Sequence, residues 1–181
     1  MLPIDAILSD LVAALRKGFS VVLKAPPGAG KTTGIPPALI ADESARSGQI
    51  LLVQPRRLAA RAAASRLAQQ DRSDLGSRIG YHVRFDRRAG RRSRLIAVTP
   101  GILLRRLQSD PLLDGVATII LDEFHERSIE LDLCLGMLQR VRTTLRPELQ
   151  IIVMSATLDP QPIVEFLGDA VGLHSEGRAF D

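Results

Sequence analysis

The chain has 181 residues, 45% hydrophobic and 24% charged, which is typical of one soluble globular domain with a sizeable core. This composition excludes a disordered chain, and no apolar run approaches the roughly 20 residues that a membrane span needs. With a formal net charge of +4, one cysteine and no basic cluster at its N-terminus, the chain is expected to be cytoplasmic, with no internal disulfide, signal peptide or membrane partner.

Apolar runs alternate with helical patterns along the chain. After a helical pattern at residues 4–16, apolar runs that predict strands lie at residues 19–23, 50–53, 79–83, 95–98, 117–121 and 151–154. Further helical patterns lie at residues 31–45, 56–70, 101–109, 126–145 and 160–168. The strand runs are apolar on both faces, so the sequence predicts an α/β fold in which helices cover both faces of a mostly parallel β-sheet.

Arginine supplies most of the positive charge, since lysine occurs only at positions 17, 24 and 31. Many of the arginines cluster in three groups, which are Arg56, Arg57, Arg61 and Arg66, then Arg84, Arg87, Arg88, Arg91, Arg92 and Arg94, and then Arg105 and Arg106. Residues 84–94 are predicted to form an exposed basic loop. Such groups are either solvated faces or a footprint for phosphates.

A distinctive segment follows each of five predicted strands. In chain order these segments are Ala25-Pro26-Pro27-Gly28, Gln54-Pro55-Arg56-Arg57, Thr99-Pro100-Gly101, Asp122-Glu123 and Ser155-Ala156-Thr157. Ligands of open parallel sheets bind at the carboxyl ends of the strands. The five segments are therefore expected to converge on one edge of the sheet.

The segment between the first predicted strand and the next helix predicts a phosphate-binding loop. Gly28 and Gly30 allow turns in which backbone N–H groups point at a phosphate, and the helix that begins near Lys31 presents its positive end to the anion. Lys31 would reach the β- and γ-phosphates, and the Thr32 hydroxyl would bind Mg²⁺. A glycine turn that only caps a helix is the structural alternative. The predicted nucleotide-binding residues are Ala25, Pro26, Pro27, Gly28, Ala29, Gly30, Lys31, Thr32 and Thr33.

Two adjacent carboxylates follow the apolar run at residues 117–121. A buried strand end is a costly place for Asp122 and Glu123 unless a cation is present, and Mg²⁺ is the natural candidate. Thr32, Asp122 and Glu123 would form the Mg²⁺ site, in which Asp122 binds the ion directly or through water. Glu123 would also orient and deprotonate the attacking water. His125 lies close to this predicted base, which favours a coupling role. The alternative is a surface acidic pair at a helix start.

Together these segments resemble the motifs of superfamily 2 DEAH-box helicases in order and spacing over residues 20–160. The Asp122-Glu123-Phe124-His125 variant, in its arginine-rich context, looks most like the bacterial HrpB-type enzymes. Phe124 replaces the usual alanine of this box, and Ala25 replaces the leading glycine of the general phosphate-loop pattern.

The resemblance implies a RecA-like P-loop NTPase domain that uses ATP or another NTP with Mg²⁺ and binds single-stranded or tailed RNA or DNA. It implies that the nucleic-acid backbone is held by Gln54, Pro55, Arg56, Arg57, Thr99, Pro100 and Gly101. It implies that Ser155, Ala156 and Thr157 couple the ATP site to strand movement. By its position, Arg66 resembles an arginine that stacks on adenine in related enzymes.

The resemblance also implies a domain organisation. Residues 1–18 would form an N-terminal helix packed on the domain, residues 19–176 the first RecA-like domain, and residues 177–181 the start of a linker to a second RecA-like domain. Arginines of that second domain complete the ATP site in the family, so this chain alone is expected to bind nucleotide weakly and hydrolyse it poorly. Two alternatives remain open, a P-loop small-molecule kinase and a non-catalytic nucleic-acid-binding module.

Overall fold

The structure is a computed structural model that describes residues 3–42 and 48–175. Its strands are β1 (Ser20–Lys24), β2 (Gln49–Val53), β3 (Ile79–Val83), β4 (Asp86–Arg88), β5 (Leu95–Val98), β6 (Val116–Leu121), β7 (Gln150–Ser155) and β8 (Ala170–His174). Its α-helices are α1 (Leu8–Arg16), α2 (Lys31–Ala41), α3 (Arg57–Asp71), α4 (Pro100–Ser109), α5 (Ile129–Thr144) and α6 (Gln161–Leu167). Short 3-10 helices occupy Pro3–Ile7 and Phe124–Glu126.

The eight strands form one sheet in the order β4-β3-β5-β2-β6-β7-β1-β8. Every pairing in it is parallel except that of β3 with β4. Successive side chains of a strand point to opposite faces of the sheet, so a strand that is buried on both faces reads as a continuous apolar run. The predicted α/β fold with a mostly parallel sheet is confirmed.

Two hydrophobic cores lie on opposite faces of the sheet. On one face α1, α2 and α3 pack over inward-facing residues such as Val21, Leu52 and Ile152. On the other face α4, α5 and α6 pack over the alternate residues, such as Leu51 and Val153. Helices therefore cover both faces, as predicted.

The N-terminal 3-10 helix is part of the first core. Ile4 is fully buried, and a side chain at Gly34 of α2 would bring its Cβ within 2.8 Å of Ile4 Cγ2. The backbone N–H of Ile4 donates to the carbonyl of Ala29 at 3.1 Å, and Ser175 Oγ donates to the carbonyl of Pro3 at 2.9 Å. The first turn of the chain thus supports the loop between β1 and α2.

Two predictions of secondary structure need correction, and one strand was not predicted. The basic segment 84–94 is not wholly a loop, because Asp86–Arg88 forms β4 antiparallel to β3. Gly80 makes this possible, since a Cβ there would collide with the carbonyl of Arg88. The chain adds a strand that the sequence analysis did not predict, β8, which pairs with β1. The predicted helix at residues 4–16 is α-helical only from Leu8.

Some predictions fall on other parts of the chain. Residues 43–45 of the helix predicted at 31–45 lie outside the described residues, as do residues 1, 2 and 176 of the two predicted domains and the predicted linker at 177–181. Among the described residues, no helix has the length and apolar character needed to cross a membrane.

Candidate functional site

The five strand-end segments lie side by side at one edge of the sheet. Backbone hydrogen bonds extend the ladder beyond the strands, from Gln54 N–H to the carbonyl of Val98 at 2.8 Å and from Asp122 N–H to the carbonyl of Val53 at 3.0 Å. Ala25 N–H likewise donates to the carbonyl of Ser155 at 3.0 Å. In the order β5-β2-β6-β7-β1, the segments after these strands form one continuous surface, as the sequence predicts.

The loop between β1 and α2 has the backbone shape that a phosphate needs. Gly28 and Gly30 both adopt positive φ angles, 78° and 90°, which residues with a Cβ rarely adopt. Helix α2 begins at Lys31, so the positive end of its dipole lies directly after this loop. Lys31 is buried, and its Nζ donates to the carbonyls of Ala25 at 2.7 Å and Pro26 at 3.1 Å. Its ammonium group is thus held against the loop.

Asp122 is a fully buried carboxylate at the end of β6. It accepts hydrogen bonds from Thr32 Oγ1 at 2.6 Å, from Gln54 Nε2 at 2.7 Å and from the N–H of Glu123 at 2.8 Å. Burial raises the pKa of Asp122, although these three donors and the charge of Lys31 act in the opposite direction. The charged form is therefore costly in this place, and a divalent cation would relieve that cost.

Glu123 has a strained backbone and a half-buried carboxylate. Its φ of 51° is in the left-handed region, which costs about 1–2 kcal/mol for a residue with a Cβ. Burial, and then the neighbouring charge of Asp122, raise the pKa of Glu123. A carboxylate with a raised pKa is a stronger base, which suits it to accepting a proton from water.

His125 joins two of the segments. Its Nδ1 accepts a hydrogen bond from the N–H of Ala156 at 3.2 Å, and its Nε2 lies 3.2 Å from Glu123 Oε2. The turn after β7 is closed by Ser155 Oγ, which accepts from the N–H groups of Thr157 at 3.3 Å and Leu158 at 3.0 Å. His125 thus links the predicted base, Glu123, to Ala156, one of the residues predicted to couple.

The residues expected to hold nucleic acid differ in exposure. Arg56 and Arg57 are exposed, and Arg56 Nη2 forms an ion pair with Glu126 Oε2 at 3.0 Å. Thr99 precedes the first turn of α4 and is half-buried, as are Pro55 and Gly101, whereas Pro100 is buried. The Gln54 side chain does not face solvent, because it is buried against Asp122.

Two further positions bear on the predicted site. Arg66 is exposed on α3 one turn before Gln70, whose Nε2 donates to the carbonyl of Thr33 at 3.4 Å, so this side of α3 faces the start of α2. Phe124 is buried in the core under α5, which accommodates the departure from alanine at this position.

The residues present fit a magnesium ion better than a metal held by protein side chains alone. The Thr32 hydroxyl and the Asp122 carboxylate supply oxygen ligands, which Mg²⁺ prefers. Within the described ranges, no group of three or more His, Cys, Asp and Glu residues is placed to hold a metal. An ion with one or two protein ligands would keep waters and phosphate oxygens, as Mg²⁺ does.

The family profile of the DEAD/DEAH box helicases matches residues 6–166 of this chain. The chain belongs to this helicase family. The predicted resemblance is confirmed, and it decides against the small-molecule kinase alternative.

Individual proteins that are similar to this chain are also helicases. The helicase domain is 45% identical to the ATP-dependent RNA helicase HrpB of Escherichia coli over 99% of this chain and 22% of the relative. It is 40% identical to human ATP-dependent RNA helicase DHX33 over 98% of this chain and 26% of the relative. The crystal structure of Escherichia coli DEAH/RHA helicase HrpB superposes with a TM-score of 0.93 at 45% identity, covering 99% of this chain and 23% of that one. The chain spans about a quarter of the length of these relatives.

Two contacts of the helicase domain were not predicted from the sequence. One is the bond from Gln54 to Asp122, and the other is the ion pair of Arg56 with Glu126. The contact of Gln54 with Asp122 could be predicted from the order of the strands, since β2 and β6 are neighbours and the residues after them lie side by side. No local pattern in the sequence reveals the second.

Proposed function

We propose that this chain is the ATP-binding motor domain of an ATP-dependent nucleic-acid helicase. In this proposal it binds a nucleoside triphosphate with Mg²⁺ at the carboxyl ends of β1 and β6. It binds single-stranded RNA or DNA at the carboxyl ends of the neighbouring strands. Hydrolysis and unwinding require a second RecA-like domain.

One observation carries the proposal, the contact between Thr32 Oγ1 and the buried carboxylate of Asp122 at 2.6 Å. It brings the phosphate loop and the acidic strand end, which are 90 residues apart in sequence, into one oxygen-rich site. The raised pKa of Asp122 supports a cation at this place, because a buried carboxylate without one is penalised.

Each residue of the site has a role in the proposal. Lys31 exchanges its loop carbonyls for the β- and γ-phosphates, and the N–H groups of the loop hold the same phosphates. Thr32 and Asp122 hold Mg²⁺, which when bound neutralises charge on the phosphates. Glu123 orients the attacking water and accepts its proton, and His125 keeps Glu123 in contact with the turn at Ala156.

The nucleic-acid part of the proposal rests on the surface beside this site. Arg56 and Arg57 are exposed cations at the start of α3, and Thr99 lies at the start of α4. Contacts of helix N-termini and exposed arginines with phosphates position a strand without reading its bases, so binding at this surface is independent of sequence. The names of the relatives, ATP-dependent RNA helicases, favour RNA as the strand and ATP as the nucleotide.

Titration calorimetry with a non-hydrolysable ATP analogue and Mg²⁺ tests the nucleotide site. Lys31→Ala is expected to lower affinity by about tenfold to a hundredfold, because it removes a charge-assisted contact with the phosphates. Lys17→Ala is the matched control, since it removes an exposed lysine at the end of α1. Equal affinities of a folded wild-type chain and Lys31→Ala would overturn the proposed site.

The same titration distinguishes a motor domain from a module that binds only nucleic acid. A folded wild-type chain that binds single strands but no nucleotide, with or without Mg²⁺, would favour the non-catalytic module. Hydrolysis that becomes measurable when a second RecA-like domain is supplied would favour the motor.

A further inference from the structure

A cleft of about 800 Å³ opens on the face of the sheet that α4 covers, and none of its lining residues belongs to the proposed nucleotide site. Its floor is apolar, formed by Leu51 of β2 and by Ile96 and Val98 of β5. Ile102 and Leu103 of α4 line one wall.

The opposite wall is the segment at residues 87–94. Gly80 of β3 faces this side of the sheet, since it pairs with Ile96, and its missing side chain lets Arg88 and Ala89 fold over the strand. Ser93 fixes the segment, because its Oγ donates to the carbonyl of Ser77 at 2.9 Å and accepts from the N–H of Gly90 at 3.0 Å. The cleft is thus a built feature of the fold.

The cleft unites two arginine groups that are separate in the sequence. Its lining contains six arginines and one carboxylate, namely Arg87, Arg91, Arg92, Arg94, Arg105, Arg106 and Asp114. Arg87, Arg91, Arg92 and Arg105 are exposed, and within the described part of the chain no carboxylate lies within ion-pair distance of these four. The walls therefore carry an excess of positive charge.

Arg106 differs from the four exposed arginines of the cleft, because its side chain makes hydrogen bonds within the fold. It donates to Gln49 Oε1 at 3.1 Å and to the carbonyl of Asp114 at 3.0 Å, so it also holds α4 to the sheet. Burial, and then the nearby charges of Arg87 and Arg106, lower the pKa of His82 beside it. Arg106 Nε also lies 3.9 Å from Asp110 Oδ2, so the uncompensated positive charge of the cleft lies on the four exposed arginines.

We propose that this arginine-lined cleft binds the sugar–phosphate backbone of single-stranded nucleic acid that continues from the strand-end surface at Thr99. This inference rests on the proposed function, because it extends the same bound strand to a second contact region. Both Arg94 and Val98 line the cleft, so it runs along β5 for roughly 13 Å, with arginines on both walls. Cations spread over such a length suit a chain of phosphates better than a single anion.

Continuity supports this occupant over others. Val98 and Ile102 line the cleft, and the residues between them are Thr99, Pro100 and Gly101, the predicted nucleic-acid contacts. None of the described lining residues is Phe, Tyr or Trp, so the cleft lacks the large aromatic side chains on which successive bases stack in many single-strand binders. Binding there is a matter of phosphate charge and is independent of sequence.

The test compares short and long strands. Fluorescence anisotropy measures binding of labelled oligo-U of about 4 and about 16 nucleotides, which span the usual site sizes of single-strand binders. The cleft variant is Arg91→Ala/Arg105→Ala, with one change on each wall. The control is Arg72→Ala/Arg140→Ala, which removes the same charge at exposed positions outside the lining.

The cleft variant is expected to bind the long strand about tenfold more weakly at low salt and to bind the short strand within about twofold of wild type. The slope of log affinity against log salt is expected to fall by about 1.4 for the long strand, since each lost phosphate contact of a single strand contributes about 0.7. Arg91→Lys/Arg105→Lys, which keeps both charges, is expected to restore most of this slope.

Other outcomes overturn the inference in distinguishable ways. If Arg57→Ala weakens both strands while the cleft variant matches its control, the proposed function stands and the cleft has no part in it. If a folded wild-type chain binds neither strand, the proposed function and the inference both fail. If polyglutamate binds more tightly than the long strand and only the cleft variant loses it, the cleft is a docking site for an acidic protein segment.

Discussion

The Nδ1 atom of His125 accepts a hydrogen bond from the backbone N–H of Ala156 at 3.2 Å. A nitrogen that accepts carries no proton, so the ring proton of this tautomer lies on Nε2, which is 3.2 Å from Glu123 Oε2. One imidazole therefore joins the carboxylate after β6 to the turn after β7. A shift of that turn would move the ring, and with it Glu123.

Hydrogen exchange tests this link in the chain as it stands. In His125→Ala, the N–H of Ala156 loses its acceptor and is expected to exchange about two- to tenfold faster, as the net free energy of one hydrogen bond implies. His174→Ala, which removes an exposed histidine of β8, is the control. Unchanged protection of Ala156 would show that the ring does not hold the turn.

Thr32→Ala is expected to affect both stability and magnesium dependence. It removes one of three donors to the buried Asp122 carboxylate, which lowers the free energy of unfolding by about 1.5–3 kcal/mol. It also removes a proposed Mg²⁺ ligand, so affinity for nucleotide is expected to fall more with Mg²⁺ than without it. Urea unfolding and calorimetry measure the two effects. Thr32→Ser retains the hydroxyl and should behave like wild type. A Thr32→Ala chain that is as stable as wild type would contradict the predicted loss of stability.

The raised pKa of Glu123 predicts a pH-dependent stability with a definite sign. Between the ordinary value of 4.5 and the raised value, the folded chain binds more protons at Glu123 than the unfolded chain does. The contribution of Glu123 to the free energy of unfolding therefore falls as pH rises through this window. Glu123→Gln lacks this fall, so the stability of the variant relative to wild type is expected to increase with pH.

Urea unfolding at a series of pH values, without Mg²⁺ or nucleotide, measures this difference. Glu165→Gln changes an exposed carboxylate of α6 and is the control. A stability difference between Glu123→Gln and wild type that stays constant from about pH 4, the ordinary pKa of a carboxylate, up to about pH 8 would rule out the predicted linkage.

The contact between Ile4 and Gly34 predicts that Gly34→Ala changes stability in opposite directions in wild type and in Ile4→Ala. In a helix, glycine to alanine normally stabilises by about 0.5–1 kcal/mol. In wild type, however, the new Cβ at residue 34 would lie 2.8 Å from Ile4 Cγ2, and overpacking of this kind costs about 1–3 kcal/mol. Gly34→Ala should thus destabilise the wild-type chain.

The same change should stabilise an Ile4→Ala chain, in which the space is open. Ile4→Ala itself is expected to cost about 2–5 kcal/mol, because Ile4 is fully buried. Thermal or urea unfolding of wild type, the two single variants and the double variant measures these stabilities. If Gly34→Ala has the same sign in both backgrounds, the N-terminal helix does not pack against α2 as described.

The strands and the phosphate loop could be predicted because their signals are local. Buried parallel strands such as Leu95–Val98 are uninterrupted apolar runs, and Gly28 and Gly30 mark turns that only glycine adopts readily. The convergence of the strand ends also follows from the sequence, since parallel strands share one carboxyl edge. These features need no knowledge of distant contacts.

The features that were missed have weak patterns in the sequence or depend on distant contacts. Strand β4 has the polar sequence Asp86–Arg88 and forms because Gly80, six residues earlier, leaves room for its backbone. Strand β8 is half-exposed at the edge of the sheet, so its apolar pattern is weak. The arginine-lined cleft combines residues 87–94 with α4, and only the folded chain brings their charges together.

The position of β8 also gives the domain a mechanical property. It runs parallel to β1 from Ser20↔Ala170 to Lys24↔His174, and the N–H of Ser175 donates to the carbonyl of Lys24 at 2.9 Å. Tension applied at Ser175 along this strand would load the whole β1–β8 ladder in shear instead of peeling its bonds apart one by one. The strand that shares this load is β1, which ends directly before Ala25 at the start of the phosphate loop.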